Sequence, residues 1–219
     1  MGNRWITISY AVATVILLLS FTGISPAFAD EFEDGLKALE REDFRAAYQH
    51  FMKAANNSDP RAQNSLGLMY GKGQAVARDF KESMKWFYLA AEQGHAEAQY
   101  NLAIMYADAF GVPQNYSEAA KWLRLAAEQG HVRAQFNFGI MYLNGLGVPQ
   151  DYKEAMKWLH LAANQGDGVA KCKLSELYAK GIGVEKDFPK AKKLAQEGME
   201  AGEEVRCQDV WDKYNLANY

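Results

Sequence analysis

Apolar side chains recur every three or four residues in paired short stretches along most of the chain. In the segment AEAQYNLAIMYADAFGVPQNYSEAAKWLRLAAEQG they fall at Ala98, Leu102 and Tyr106, and then at Tyr116, Ala119, Leu123 and Ala126. That spacing gathers them on one face of a helix turning every 3.6 residues, so the segment predicts two antiparallel helices joined by a loop. The pattern returns at an offset of 36 residues, with Asp43, Asp79, Asn115, Asp151 and Asp187 in register. A fixed period of this size predicts an array of repeats, here 59–94, 95–130, 131–166 and 167–202, without insertion or deletion between them.

Local signals agree with this division. The second helix of a unit is expected to start at Asp79, Asn115 or Asp151, with Glu82, Glu118 or Glu154 three residues later, the spacing at which two side chains cap each other's free amides. It is expected to stop at Gly94, Gly130, Gly166 and Gly202, where a residue without Cβ closes a helix in the left-handed conformation. Pro189 falls in a first turn, where its missing donor matters little. Ala98, Ala134 and Ala170, with Ala119, Ala155 and Ala191, recur where two helices must approach closely. Each pair is apolar on more than one side and buries itself only against the next pair, which predicts a one-dimensional stack.

The third unit reads VRAQFNFGIMYLNGLGVPQDYKEAMKWLHLAANQG. The underlying pattern, A-x-A-Q-x-x-L-G-x-M-Y-x-x-G-x-G-V-x-x-D-Y-x-E-A-x-K-W-x-x-x-A-A-x-Q-G, resembles the Sel1-like repeat, a relative of the tetratricopeptide repeat with a longer inter-helix loop. The likeness covers residues 59–202; the first unit departs from it with Ala75 in the loop and the fourth with Leu194 in place of Trp. It implies an all-α fold, a right-handed α-solenoid or superhelix of antiparallel helix pairs. The flanks then read as caps. Residues 30–58 form a helix pair closer to the tetratricopeptide form, and residues 203–219 a final helix in which Trp211 stands where inner units have Gly or Ala.

Residues 1–29, with one Arg before an apolar run, no acid, and Ala27-Phe28-Ala29 as a small-x-small cleavage site, read as a secretory signal peptide. Uncleaved, the run would serve as a membrane anchor, the one route by which a membrane enters the reading. The net charge is −3, and −4 without the leader, which argues against nucleic acid as a partner. Export through a bacterial inner membrane implies the periplasm, an oxidising compartment in which Cys172 and Cys207 are either a disulfide clipping the last cap to the fourth unit or two separate thiols.

Candidate chemistry is sparse. Glu92 with His95, and Glu128 with His131, look like acid and base three residues apart, but Gly94 and Gly130 break the helix between them and the next unit has Asp167 in place of His. Corresponding imidazoles in neighbouring repeats lie on the order of 10 Å apart, too far to share a metal held at about 2 Å. Trp86, Trp122 and Trp158 offer either a stacking platform or packing between units, and their shared phase favours packing. Some relatives are linked to β-lactam binding or hydrolysis, yet the chain holds no Ser-x-x-Lys, Ser-Asp-Asn or Lys-Thr-Gly. Neither a G-x-S-x-G elbow, an H-E-x-x-H site nor a phosphate loop occurs. The reading is therefore of a protein that is not an enzyme, without metal or cofactor, with a β-lactamase-like hydrolase or a purely structural envelope component as alternatives.

In tetratricopeptide relatives the first helix of each pair lines a concave face, and the resemblance carries that face onto Arg61, Asn64, Leu68 and Lys72, then Glu97, Tyr100, Ile104 and Asp108. The third and fourth units add Arg133, Phe136, Ile140 and Asn144, then Val169, Cys172, Glu176 and Lys180. These positions vary between units while the packing positions do not. Tyr100, Ile104, Phe136 and Ile140 would form an apolar centre with a charged rim, as protein and peptide interfaces are built. The expected partner is a protein or peptide, with the chain as adaptor or scaffold; the competing use of the same aromatics is burial between adjacent first helices.

Overall fold

The computed structural model describes residues 26–219, with side chains from Asp30 onward. Among the described residues the backbone forms eleven α-helices and a short 3-10 turn, with no strand. The leader expected over residues 1–29 lies outside the described residues except for its last four, which begin the first helix. No helix among the described residues is long and apolar enough to cross a membrane.

Helices follow in pairs: α1 (Pro26–Glu40) with α2 (Phe44–Asn56), α3 (Pro60–Lys72) with α4 (Phe80–Glu92), α5 (Ala96–Ala107) with α6 (Tyr116–Glu128), α7 (Val132–Asn144) with α8 (Tyr152–Asn164), and α9 (Gly168–Lys180) with α10 (Phe188–Glu200). A last helix, α11 (Glu204–Lys213), packs on both α9 and α10. The fold is the all-α helix-pair array of the solenoid class. The chain divides into two compact units, Met1–Ala98 and Gln99–Tyr219, the division falling inside α5.

The first unit packs Phe51, Leu66 and Met69 with Phe32 and Trp86. In the second, one cluster gathers Leu123, Phe138, Met141 and Trp158, and another Leu159, Leu174, Leu177 and Tyr178. Ala98, Ala119, Ala134, Ala155, Ala170 and Ala191 are all fully buried, so the recurrent small residues sit where the helices meet. Trp158 is buried edge-on against Phe138 with ring centroids 5.3 Å apart. Its indole N–H and that of Trp86 are buried without a hydrogen-bond partner. Trp86 and Trp122 are half-buried against their clusters, so these three tryptophans pack between helices.

Second helices start at the expected residues, but the reciprocal caps form only by half. Asp79 accepts from the amides of Lys81 and Glu82, Asn115 from Glu118, and Asp151 from Lys153 and Glu154. The N-cap residue's own N–H does not go to the glutamate three residues on. It donates back to the preceding helix, from Asp79 to the Tyr70 carbonyl at 3.0 Å, from Asn115 to Tyr106 at 2.8 Å and from Asp151 to Tyr142 at 3.1 Å. Glu82, Glu118 and Glu154 are left to pair with Lys85, Lys121 and Lys157. The loop bond wins because it also satisfies a carbonyl at the end of the first helix, which a bond to the glutamate carboxylate, itself only an acceptor, would leave open.

The C-terminal segment differs from the single helix expected over 203–219. It breaks after Lys213, turns through Asn215 in the left-handed region (φ 51°) and folds back as a 3-10 turn at Leu216–Asn218. Leu216 is fully buried, and Tyr219 stacks on Phe188 at 4.4 Å.

Candidate binding face on the first helices

First helices are positioned at both ends by residues of the repeat. At the N-terminus Asp59 accepts from the Arg61 amide at 2.8 Å and Asp167 from Ala170 at 2.7 Å. His95 and His131 stand at the same phase and do the same with Nδ1, accepting from Ala98 at 3.2 Å and Ala134 at 3.1 Å. An imidazole nitrogen with a free lone pair is an acceptor like a carboxylate oxygen, so His and Asp exchange freely at this phase as N-caps. Glu92 and Glu128 are exposed beside them. Among the described residues no three His, Cys, Asp or Glu side chains converge on a metal-sized site.

Bracing across the repeat comes from glutamines. Buried Gln63, Gln99 and Gln135 on first helices accept from Gln93, Gln129 and Gln165 at the ends of second helices, at 2.8, 2.7 and 2.8 Å. Gln135 in turn donates to the Ala127 carbonyl of the preceding helix at 3.1 Å. Sequence reasoning missed these pairs, although both glutamines recur every 36 residues. The fourth unit has Lys171 instead, paired with Glu197 at 3.6 Å.

In the first unit Arg61 and Asn64, two of the five positions expected on the face, are engaged within the chain. Arg61 is held by the buried carboxylate of Asp59 at 2.7 Å and lies over the Phe32 ring at 4.2 Å, and its guanidinium is pushed to a higher pKa by that hydrogen bond. Asn64 is buried, not open. Leu68, Lys72 and Glu97 are exposed.

In the second unit Asp108, Arg133, Asn144 and Lys180 are exposed, and Tyr100, Ile104, Phe136, Ile140, Val169 and Glu176 half-buried. The expected apolar centre has a second use here. Phe136 and Ile140 pack with Val132 and Leu143 against the cluster of the following pair, and Tyr100 stacks on His131 at 4.8 Å. Cys172 is buried in a disulfide with Cys207 and takes no part in an open face. The positions after Tyr100, Phe136 and Cys172, namely Asn101, Asn137 and Lys173, are half-buried on the same helices and absent from the expected set. Glu176 lies between Lys173 at 2.7 Å and Lys180. Burial pushes its carboxyl up, but the two lysines outweigh this and hold it below the ordinary carboxylate range. The face is thus a mixed one, with aliphatic strips between polar and charged side chains.

The Sel1 repeat profile matches residues 29–59, 60–95, 96–131, 132–167 and 168–203, the first match taking in the α1–α2 pair. No curated protein matches the chain by sequence. Among solved structures, a Sel1 repeat protein from Oxalobacter formigenes is 35% identical with a TM-score of 0.76, covering 81% of this chain and 72% of that one. The protective antigen c5321 of uropathogenic Escherichia coli, which has an SLR fold, is 30% identical with a TM-score of 0.82; 93% of this chain aligns, spanning 44% of that protein's length. Immunity protein Pa5087 from Pseudomonas aeruginosa, 19% identical with a TM-score of 0.54 over 84% of this chain and 69% of that one, shares the fold. With five successive repeat matches and relatives at 30% identity and above, the chain belongs to the Sel1 repeat family.

Proposed function

We propose that the chain is a binding module, an adaptor or scaffold that takes a protein or peptide on the first-helix face of its second unit. One observation carries this reading. At fixed phase in α5, α7 and α9 the buried residue stays Ala98, Ala134, Ala170, while the open residue at their C-terminal ends changes from Asp108, just past α5, to Asn144 to Lys180. A framework that repeats while its exposed side chains differ presents a distinct surface on rigid supports, as recognition requires. Arg133, exposed on α7, and the half-buried Asn137 one turn on would supply the polar contacts. No reaction belongs to this reading.

We place the module in an oxidising compartment, the bacterial periplasm. The composition of residues 1–29 and the Cys172–Cys207 disulfide support this. The test is capture from an envelope extract of the source organism on immobilised wild-type chain beside Arg133→Glu/Asn137→Ala. Both substitutions lie on the surface of a helix and leave the buried framework intact. A protein held by the wild type and released by the double variant supports the reading, and equal retention moves the site off this face.

A further inference from the structure

The C-terminal cap is tied to the array by a covalent bond. Cys172 on α9 and Cys207 on α11, 35 residues apart in sequence, form a disulfide with Cα atoms 5.0 Å apart, and both side chains are buried. The two sulfurs lie against Gly198 on α10, where a Cβ would stand 2.9 Å from Sγ of Cys172 and closer still to that of Cys207. At the same phase every earlier pair carries a buried alanine: Ala54, Ala90, Ala126 and Ala162. Alanine is the better helix former, so glycine at this one position sacrifices helix stability for the room the bridge needs. Gly198 and the disulfide are matched to each other.

Within α11 itself the bridged Cys207 is the main anchor. It is 10 residues long, its N-cap Glu203 makes no side-chain capping bond, and Cys207 is its one buried residue, whereas α9 buries eight. Glu204, Gln208 and Asp212 stand exposed at the phases where α7 has Val132, Phe136 and Ile140, the residues that pack on a following pair. The cap is therefore polar on that face and rests on the α9–α10 cluster through Val210, Trp211, Tyr214 and the buried Leu216.

We propose that residues 203–219 are a redox-dependent cap, docked on α9 and α10 when Cys172 and Cys207 are oxidised and released when they are reduced, with α6–α10 folded in both forms. To close the bridge, one cysteine thiolate attacks the disulfide of an oxidant of the disulfide class, giving a mixed disulfide and one oxidant thiol. The second cysteine thiolate then displaces the other oxidant sulfur. The chain has lost two protons and two electrons, and the oxidant leaves as a dithiol. A dithiol reductant runs the same exchange backwards and uncovers the cluster beneath Trp211 and Leu216.

The experiment is amide hydrogen exchange on the full chain, oxidised and after reduction by a dithiol, with two free thiols counted to show that reduction is complete. A cross-link closing a loop of this length favours the closed form by roughly two orders of magnitude, so amides of α11 should exchange on the order of a hundredfold faster after reduction while those of α7–α9 keep their protection. Unchanged protection of α11 overturns the proposal, as does loss of protection throughout α6–α10. Gly198→Ala supplies an independent reading in a glutathione redox buffer. The overpacked bridge should open about tenfold more readily than that of the wild type. A Gly198→Ala chain as resistant to reduction as the wild type contradicts the matching of glycine and disulfide.

Discussion

The Gln165 side-chain amide donates to the side-chain oxygen of Gln135 across 2.8 Å, joining the end of α8 to the first turn of α7. Gln165 also donates to the Gly130 carbonyl at 3.0 Å, and Gln135 to that of Ala127 at 3.1 Å, so two side chains bind three successive helices. Gln135→Met keeps the volume but removes two hydrogen bonds, one from the Ala127 carbonyl, which keeps the Gly130 amide, and one from the Gln165 amide, which keeps the Gly130 carbonyl. It should lower stability by about 1 kcal/mol, read as a shift of the denaturant midpoint at unchanged slope. A midpoint like that of the wild type would show that the brace contributes nothing net.

His131 is expected to act as a cap and not as a catalyst. His131→Ala should cost about 1 kcal/mol in thermal unfolding, with a further contribution from the lost Tyr100 stack, and His131→Asp should restore the capping part, since Asp59 and Asp167 do the same work at this phase. An aspartate variant as unstable as the alanine variant would contradict the assignment.

Ala109 closes α5 in the left-handed region at φ 59°, where Gly73, Gly145 and Gly181 close the other first helices at φ 72°, 67° and 72°. A Cβ there crowds the following carbonyl, so Ala109→Gly should raise stability by about 1 kcal/mol and Gly145→Ala lower it by a similar amount. The paired melting curves decide, and opposite signs are the expected result.

Burial, helped by the charge of Lys190, holds the His160 imidazole below its ordinary value. The folded chain takes up this proton less readily than the unfolded one. Stability carried by the neutral ring is therefore fully present above the ordinary imidazole range and is lost as pH falls through it toward the folded value. His160→Gln places there the residue that the next unit has at Gln196, and should reduce the fall in Tm between about pH 7.5 and about pH 5. An unchanged fall would assign the acid sensitivity to other groups.

Some of this architecture is legible in the chain and some is not, for physical reasons. Asp79, Asn115 and Asp151 announce helix starts because a short acceptor after a loop has one strong local use. Gly130 and Gly166 announce stops because a positive φ is where glycine has its clearest advantage. Gln165 gives no such signal. Its partner is 30 residues away, and glutamine at a helix end reads as an ordinary surface residue. The binding face is harder still, because Phe136 and Asn137 differ by one residue, about 100° of helix, and both are half-buried. Periodicity locates the stripe but does not divide it between the next repeat and the solvent. The back-folded tail depends on Asn215 adopting φ 51°, which asparagine tolerates without signalling it.

Site-specific photocrosslinking tests the binding face most directly. A photoreactive residue would be placed at Asn137 on the first-helix face, and in a second chain at Lys157 on the outer side of α8, each in cells of the source organism. The proposed function predicts a defined adduct from position 137 and none from position 157. An adduct formed from position 157 alone, or equally from both, would contradict it.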